Sequence, residues 1–190
     1  MGALRTNVLL VEDDVALRTL FSIILARSGY AVRSAEDGFA ALVEMRRDVP
    51  DILLSDLYME GMSGFELLSV VRRRFPGIQV VAMSSAYSGV AVPDGIAADA
   101  FYAKGANPGA LLDIVADVKE LLSGAPSREN SGLVPVWLAR DTADGVKERF
   151  VLLSCTECLR GFAQVAANGA LKVHSAECVY CGQPIRYAFV

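Results

Sequence analysis

The sequence predicts an open, parallel α/β sheet followed by a small β-rich module closed by its cysteines. Three observations predict it. Short apolar runs alternate with helical spacings over residues 1–123. Several of those runs end in carboxylates, hydroxyls or a lysine. All four cysteines of the chain lie in two Cys-x-x-Cys pairs within the last 36 residues. Alternating strand and helix imply right-handed crossovers and a parallel sheet.

Asn7–Val11 is an apolar run cut off by Glu12, Asp13 and Asp14, and reads as a strand. Val15–Arg27 sets Val15, Leu17, Leu20, Phe21, Ile24 and Leu25 largely on one helical face. Asp14 is its cap and Ser28-Gly29 its stop. Ala31–Ala35 reads as a strand and Gly38–Arg47 as a helix. Residues 51–55 form an apolar run of the kind a strand buried on both faces needs. The helix at 63–75 has Ser63 as N-cap and Glu66 three residues later, the two halves of a capping box, and ends at Pro76-Gly77. Residues 79–83 and 101–103 are further strands, and 108–123 a helix with proline near its start. Met59, Met62 and Met83 read as packing residues.

Residues 123–132 read SGAPSRENSG, with no apolar face, and 124–132 is taken as a linker between a first domain at 1–123 and a second at 133–190. Hydrophobic residues make up 53% of the chain, yet no apolar run approaches the roughly 18 residues of a membrane span. The N-terminus lacks the pattern of a signal peptide. A cytoplasmic location is expected, where thiols stay reduced and paired cysteines favour metal over disulfide.

Ligands of an open parallel sheet bind at the carboxyl ends of its strands. Those ends carry Glu12-Asp13, Asp56, Ser84-Ser85 and Lys104. They converge if the strand order is flavodoxin-like. Three carboxylates together repel one another, and a divalent cation removes that penalty. Hard oxygen donors at this density suit Mg²⁺. A lysine and a hydroxyl beside the metal are what a transferring phosphoryl group needs, with a carboxylate as nucleophile.

Val11-Glu12-Asp13-Asp14, the stretch Asp56 to Met59, Gly61 to Gly64, Met83-Ser84-Ser85-Ala86 and Ala98 to Lys104 occur in order at fixed separations. In these motifs residues 5–123 closely resemble the receiver domain of two-component response regulators. The resemblance implies that Asp56 accepts phosphate from a histidine kinase or phosphotransfer protein. It implies Mg²⁺ at Glu12, Asp13, Asp56 and the Tyr58 main-chain carbonyl. Ser85 takes the switch-hydroxyl position, Lys104 the ion-pairing lysine and Phe101 the rotating aromatic. The only catalysis implied is the domain's own phosphorylation and dephosphorylation. Tyr58 and Tyr87 take the two positions that flank the approach of hydrolytic water, so slow dephosphorylation is expected. Glu60 and Gly105 stand where the family commonly has proline. The segment between Ser85 and Lys104 is short and carries Gly89, Pro93 and Gly95, so a short or broken helix is expected there.

Cys155-Thr-Glu-Cys158 and Cys178-Val-Tyr-Cys181 are separated by 19 residues, the spacing of a zinc ribbon. Four thiolates suit structural Zn²⁺, and iron as the alternative. They close the coordination shell, so His174 reads as a hairpin surface residue rather than a ligand. About 58 residues make a small core, for which a metal staple has a purpose. Six basic residues between 133 and 190 (Arg140, Lys147, Arg149, Arg160, Lys172, Arg186) face five acids (Asp141, Asp144, Glu148, Glu157, Glu177), which is no basic stripe. With a net charge of −4 overall, a protein-binding output is favoured over a nucleic-acid reader. The competing readings are a DNA-binding regulator and a docking adaptor that is never phosphorylated.

Overall fold

A computed structural model of the chain describes residues 5–89, 91–93, 96–122, 136–138, 150–165 and 173–189. Strands β1 (Asn7–Val11), β2 (Ala31–Ala35), β3 (Ile52–Asp56), β4 (Gln79–Ser84) and β5 (Ala100–Ala103) pair in parallel in the order β2-β1-β3-β4-β5. This is the flavodoxin-like order, and it brings the ends of β1, β3, β4 and β5 side by side. Helices α1 (Val15–Arg27), α2 (Gly38–Arg47), α3 (Gly64–Arg74) and α4 (Pro108–Leu122) cover the two faces. Side chains alternate across the strands. Val8, Leu10, Ile52 and Leu54 pack toward Phe21, Leu25, Leu111 and Val115 of α1 and α4. Leu9, Val11 and Leu53 pack toward α2 and α3. Asp14 caps α1, accepting from the amides of Ala16 and Leu17.

No helix lies between β4 and β5 among the described residues, in line with the Gly- and Pro-bearing segment there. Arg72 of α3 holds that connection. Its guanidinium donates to the carbonyls of Ala97 and Ile78, each at 3.0 Å, and pairs with Asp99. Among the described residues no helix is long and apolar enough to cross a membrane.

The linker expected at 124–132, with residues 133–135, lies outside the described residues. Beyond it, β6 (Val136–Leu138), β10 (Pro184–Phe189) and β9 (His174–Glu177) form one sheet, and β7 (Phe150–Ser154) with β8 (Gly161–Val165) an antiparallel hairpin. Each cysteine pair forms the turn of a hairpin.

The β-rich module lies against the receiver-like half. Strand β6 packs on α3, and Val136, Leu138, Leu153, Phe162, Ile185 and Tyr187 belong to one buried cluster with Leu67, Leu68, Val70 and Val71. An α-helix laid on a sheet needs one apolar stripe, but α3 is buried on a much wider face because the module covers its outer side. Gly161 sits so close to Phe39 of α2 that a Cβ there would lie 2.8 Å from the ring. Leu159 is buried in the same contact and holds φ +55°, the only positive φ at a non-glycine among the described residues. A leucine in this conformation costs about 1–2 kcal/mol, an amount that burial of its side chain, worth roughly 2 kcal/mol, offsets.

The capping box is half made. Ser63 Oγ accepts from the amide of Glu66, as expected. The Glu66 carboxyl does not return to Ser63. It is buried at the contact with the module, hydrogen-bonded to the main chain and side chain of Ser154, and its Oε1 has no partner. Tertiary burial outcompetes the local cap, and it pushes the Glu66 carboxyl up to about 8 despite the lowering effect of the Ser154 hydrogen bonds.

A stability prediction follows from this acid. An exposed Glu66 in the unfolded chain ionises near 4.5. From there to about 8 the folded state holds a proton that the unfolded state has released. Stability is therefore fully present below the unfolded value and falls as pH rises through the folded one, by a few kcal/mol in order of magnitude. Glu66→Gln is expected to remove this loss, so that wild type and variant converge near about pH 4 and are fully separated near about pH 9 in thermal unfolding. Parallel curves at both pH values would show that Glu66 ionises freely.

Candidate functional site

The four strand ends build a compact charged cluster. Glu12 follows β1 and is fully buried, Asp56 ends β3 and is nearly so, and Asp13 stands exposed beside them. Their carboxylate oxygens all lie within 4.8 Å of one another. Lys104, just past β5, reaches across the cluster. Its Nζ donates to Asp56 Oδ2 at 2.6 Å and to Glu12 Oε1 at 2.8 Å. Glu12 Oε2 lies 2.7 Å from the same ammonium, yet its geometry makes no hydrogen bond. The distance gives the ion pair, and the misalignment leaves a buried carboxylate oxygen with lone pairs to offer.

Burial pushes Glu12 upward against the pull of Lys104. Burial also disfavours the charged form of Lys104, but its hydrogen bonds to Asp56 and Glu12 outweigh this and raise it. The ammonium is thus held charged between two acids. The amide of Tyr58 donates to Asp56 Oδ1 at 3.3 Å. Behind the acid the chain is tight. A Cβ on Gly64 would lie 1.9 Å from the Asp56 carbonyl oxygen, so only glycine lets α3 begin there.

The remaining expected residues are placed as follows. Ser84 is buried and its Oγ accepts from the Ala86 amide at 3.0 Å, whereas Ser85 is exposed and makes no hydrogen bond to the cluster among the described residues. Phe101 is 1% exposed, so in this conformation an inward swing has no starting point. Tyr58 and Tyr87 stand together, their hydroxyls 3.3 Å apart and their rings stacked at 6.4 Å. Phe65 packs edge-on to Tyr58, and Phe101 edge-on to Tyr87. Two rings locked to each other and to two more have little freedom to swing away. Tyr87→Ala is expected to speed loss of phosphate from the aspartyl-phosphate form about tenfold by opening a path for water. The decay of labelled wild type and variant measures it, and equal decay would remove the rings from that role.

The second cluster is built from sulfur. The Sγ atoms of Cys155, Cys158, Cys178 and Cys181 all lie within 4.8 Å of one another. Cys155 and Cys181 are 3.6 Å apart, as are Cys158 and Cys178. Disulfides bond at about 2.0 Å, and all four thiols are free. A tetrahedron with metal–sulfur bonds of about 2.3 Å has edges of about 3.8 Å, close to the spacing found.

The two turns repeat each other. The amides of Glu157 and Tyr180 each donate to the first sulfur of their pair at 3.4 Å. The Cys155 amide donates to the Arg160 carbonyl, and that of Cys178 to the Gln183 carbonyl. Leu159 and Gly182 then take the same left-handed position after the second cysteine. Burial pushes the Cys155 thiol up to about 12. Burial opposes ionisation of Cys178 too, but amide hydrogen bonds from Tyr180 and Cys181 lower it to about 7. His174 is not in this group. Its ring faces Tyr187 at 5.3 Å.

A family model of the response regulator receiver domain matches residues 8–116. The chain belongs to that family. It is 38% identical over 133 residues to the response regulator protein FleR of Pseudomonas aeruginosa, an alignment covering 67% of this chain and 27% of that one. It is 32% identical over 119 residues to the transcriptional regulatory protein GlrR of Escherichia coli, covering 60% of this chain and 26% of that one. The chain therefore spans about a quarter of the length of these relatives, 27% and 26%. Among solved structures it is similar to the chemotaxis protein CheY4 of Vibrio cholerae, at 28% identity and TM-score 0.56, covering 60% of this chain and 99% of that one. The response regulator TrrA of Thermotoga maritima, solved with Mg²⁺ and BeF, matches at 28% identity and TM-score 0.54, covering 61% of this chain and 98% of that one. The fold is that of a two-component receiver, and receivers bind Mg²⁺ at an acidic cluster of this kind. The residues here fit the ion: three converging hard-oxygen donors, one with an unbonded buried oxygen.

Proposed function

We propose that the chain is a phosphoacceptor switch whose output is a zinc ribbon of residues 133–190. The observation that carries this reading is the Lys104 ammonium held between buried Glu12 and Asp56 at 2.8 and 2.6 Å, beside exposed Asp13. A carboxylate oxygen of Asp56 attacks the phosphorus of a phosphohistidine on a kinase or phosphotransfer protein. The P–N bond breaks, the imidazole nitrogen keeps the electron pair and takes a proton, and an acyl phosphate remains. Lys104 and the open Ser85 hydroxyl then hold phosphoryl oxygens. Mg²⁺ bound by Glu12, Asp13, Asp56 and the Tyr58 carbonyl would offset the charge that develops on those oxygens. The chain catalyses nothing beyond its own phosphorylation and dephosphorylation.

The four sulfurs support the second half of the reading. They are preset at tetrahedral spacing with amides aimed at two of them, and they leave no open position for chemistry. The ribbon's near-even charge supports a protein partner over nucleic acid. Wild-type protein incubated with acetyl phosphate and Mg²⁺ is expected to gain the mass of one phosphoryl group, and to gain none when Mg²⁺ is chelated. No gain under either condition would leave a docking adaptor in place of a switch.

A further inference from the structure

The join between the receiver sheet and the module leaves a surface feature that belongs to both. Between α2 and the two cysteine turns runs an open groove of about 360 Å³. Leu159 of the first turn, 5% exposed, lies at its floor, and Gly161 beside it presses on the ring of Phe39. Val43 of α2 and Tyr180 of the second turn stand along its sides, 41% and 53% exposed. Val179, next to Tyr180 at the turn's tip, is 70% exposed. Turn tips in water are ordinarily polar, and apolar side chains gathered at one mark a place of contact.

The charge of the groove says what it selects. Arg46 on α2 and Arg160 on the first turn line it from opposite sides. Neither has an ion-pair partner among the described residues, whereas Arg47, the next residue on α2, is held by Glu44 at 2.6 Å. Among the described residues no acidic side chain lines the groove. A chain of net charge −4 thus sets two uncommitted cations over an apolar floor. Arg160 is also held in place. Its carbonyl accepts from the Cys155 amide at 3.0 Å, and its guanidinium lies 5.3 Å over the Tyr180 ring. A side chain fixed in advance loses little further freedom on binding. A stacked guanidinium keeps its N–H edges for a planar carboxylate. Nucleic acid fits this groove less well. A phosphate backbone needs the cations but not the apolar floor. Bases need open ring faces, and here Arg160 covers Tyr180 while Gly161 presses on Phe39.

We propose that this groove is a docking site for a partner protein, and that it takes a short acidic–hydrophobic segment. An aliphatic or aromatic side chain of the segment sits over Leu159 between Val43 and Tyr180, and flanking carboxylates are held by Arg46 and Arg160. The proposal rests on the protein-binding reading of the output above and names the chemistry of the partner. The apolar floor supplies affinity, and the two cations fix the segment's register and exclude basic sequences. Because one side of the groove is α2 and the other the cysteine turns, the site exists only in the chain with its module seated on the receiver.

The test titrates the full chain into labelled peptides of about ten residues, in which Asp and Glu alternate with Leu, Ile, Phe or Trp, and reads fluorescence anisotropy. Wild type is expected to bind with a Kd of about 10–100 µM, and more weakly at about 0.5 M salt than at about 0.05 M. Arg46→Ala and Arg160→Ala are each expected to weaken binding about five- to tenfold. Val43→Glu changes an exposed residue, places an anion in the groove and is expected to abolish binding. Thermal unfolding confirms that the three variants fold. Peptides of equal charge with serine at the apolar positions are expected to bind at least about tenfold more weakly. Hydrogen exchange with peptide bound is expected to slow in α2 and at 155–162. Serine peptides that bind as tightly as the apolar ones would overturn the proposal by leaving charge alone. Peptide binding unchanged by all three substitutions would overturn it by placing the site elsewhere, with the protein-binding output still standing. Absence of binding to peptides and to a labelled single-stranded oligonucleotide alike would overturn the proposal alone. An oligonucleotide bound more tightly than any peptide would overturn the proposal and the protein-binding reading together.

Discussion

Asp56→Asn is expected to take up no phosphoryl group from acetyl phosphate or a kinase, at least about a hundredfold below wild type, while the fold survives. The substitution removes the nucleophile and almost no volume. Of the three acids only Asp56 combines a place at the end of a central strand with a carboxylate met by both Lys104 and the Tyr58 amide. Glu12 is fully buried beneath it, and burial favours its protonated form. Asp13 is exposed, and the Lys104 ammonium donates to Glu12 and Asp56 instead. Lys104 keeps Glu12 as partner in the variant, so no buried charge is stranded, a loss that would otherwise cost several kcal/mol in order of magnitude. Intact mass after labelling, with thermal unfolding as control, decides the matter. Labelling equal to wild type would move the acceptor to Glu12 or Asp13.

The sheet was legible because its signals are local and repeated. Val8–Val11 and 51–55 are apolar runs with acids at or just past their ends, and helices between them carry their own caps, Asp14 and Ser63. Strand ends then place Glu12, Asp13, Asp56 and Lys104 together without further information. The third strand runs one residue later than read, to Asp56, since a carboxylate at a strand end pairs by backbone like any residue. What the sequence hid depends on contacts between distant segments. Glu66 satisfies the spacing of a capping box, yet Ser154, 88 positions on, claims its carboxyl. Gly161 offers no sign that Phe39 lies against it. One signal was there to be read: Leu67, Leu68, Val70 and Val71 cover more of α3 than a surface helix needs, which marks a second partner on its outer side. Leu159 carried a fainter one, because Gly182 stands at the matching place in the other turn.

On the proposed zinc reading, removal of the metal from the four sulfurs is expected to unfold the β-rich module and leave the receiver sheet standing. Small zinc modules gain about 10–16 kcal/mol from their metal, more than a core of this size supplies alone. The ribbon's sheets are short, β6 with three residues and β9 with four, and two turns anchor them. Without a cation, burial drives Cys155 strongly toward the neutral thiol, and four thiols at 3.6 Å spacings have no bond to hold them there. Chelation, or Cys155→Ser, is therefore expected to abolish protection in β7 to β10. The receiver's five-stranded sheet keeps its own two cores, but α3 loses the cover of Leu138, Ile185 and Tyr187. Its outer apolar side should then bind a hydrophobic dye, and the midpoint of receiver unfolding should fall. Metal analysis of freshly purified, reduced protein is expected to give one equivalent of zinc, with iron distinguishable by its colour. Less than about half an equivalent, or unchanged exchange in β7 to β10 after chelation, would show that these strands stand on packing alone.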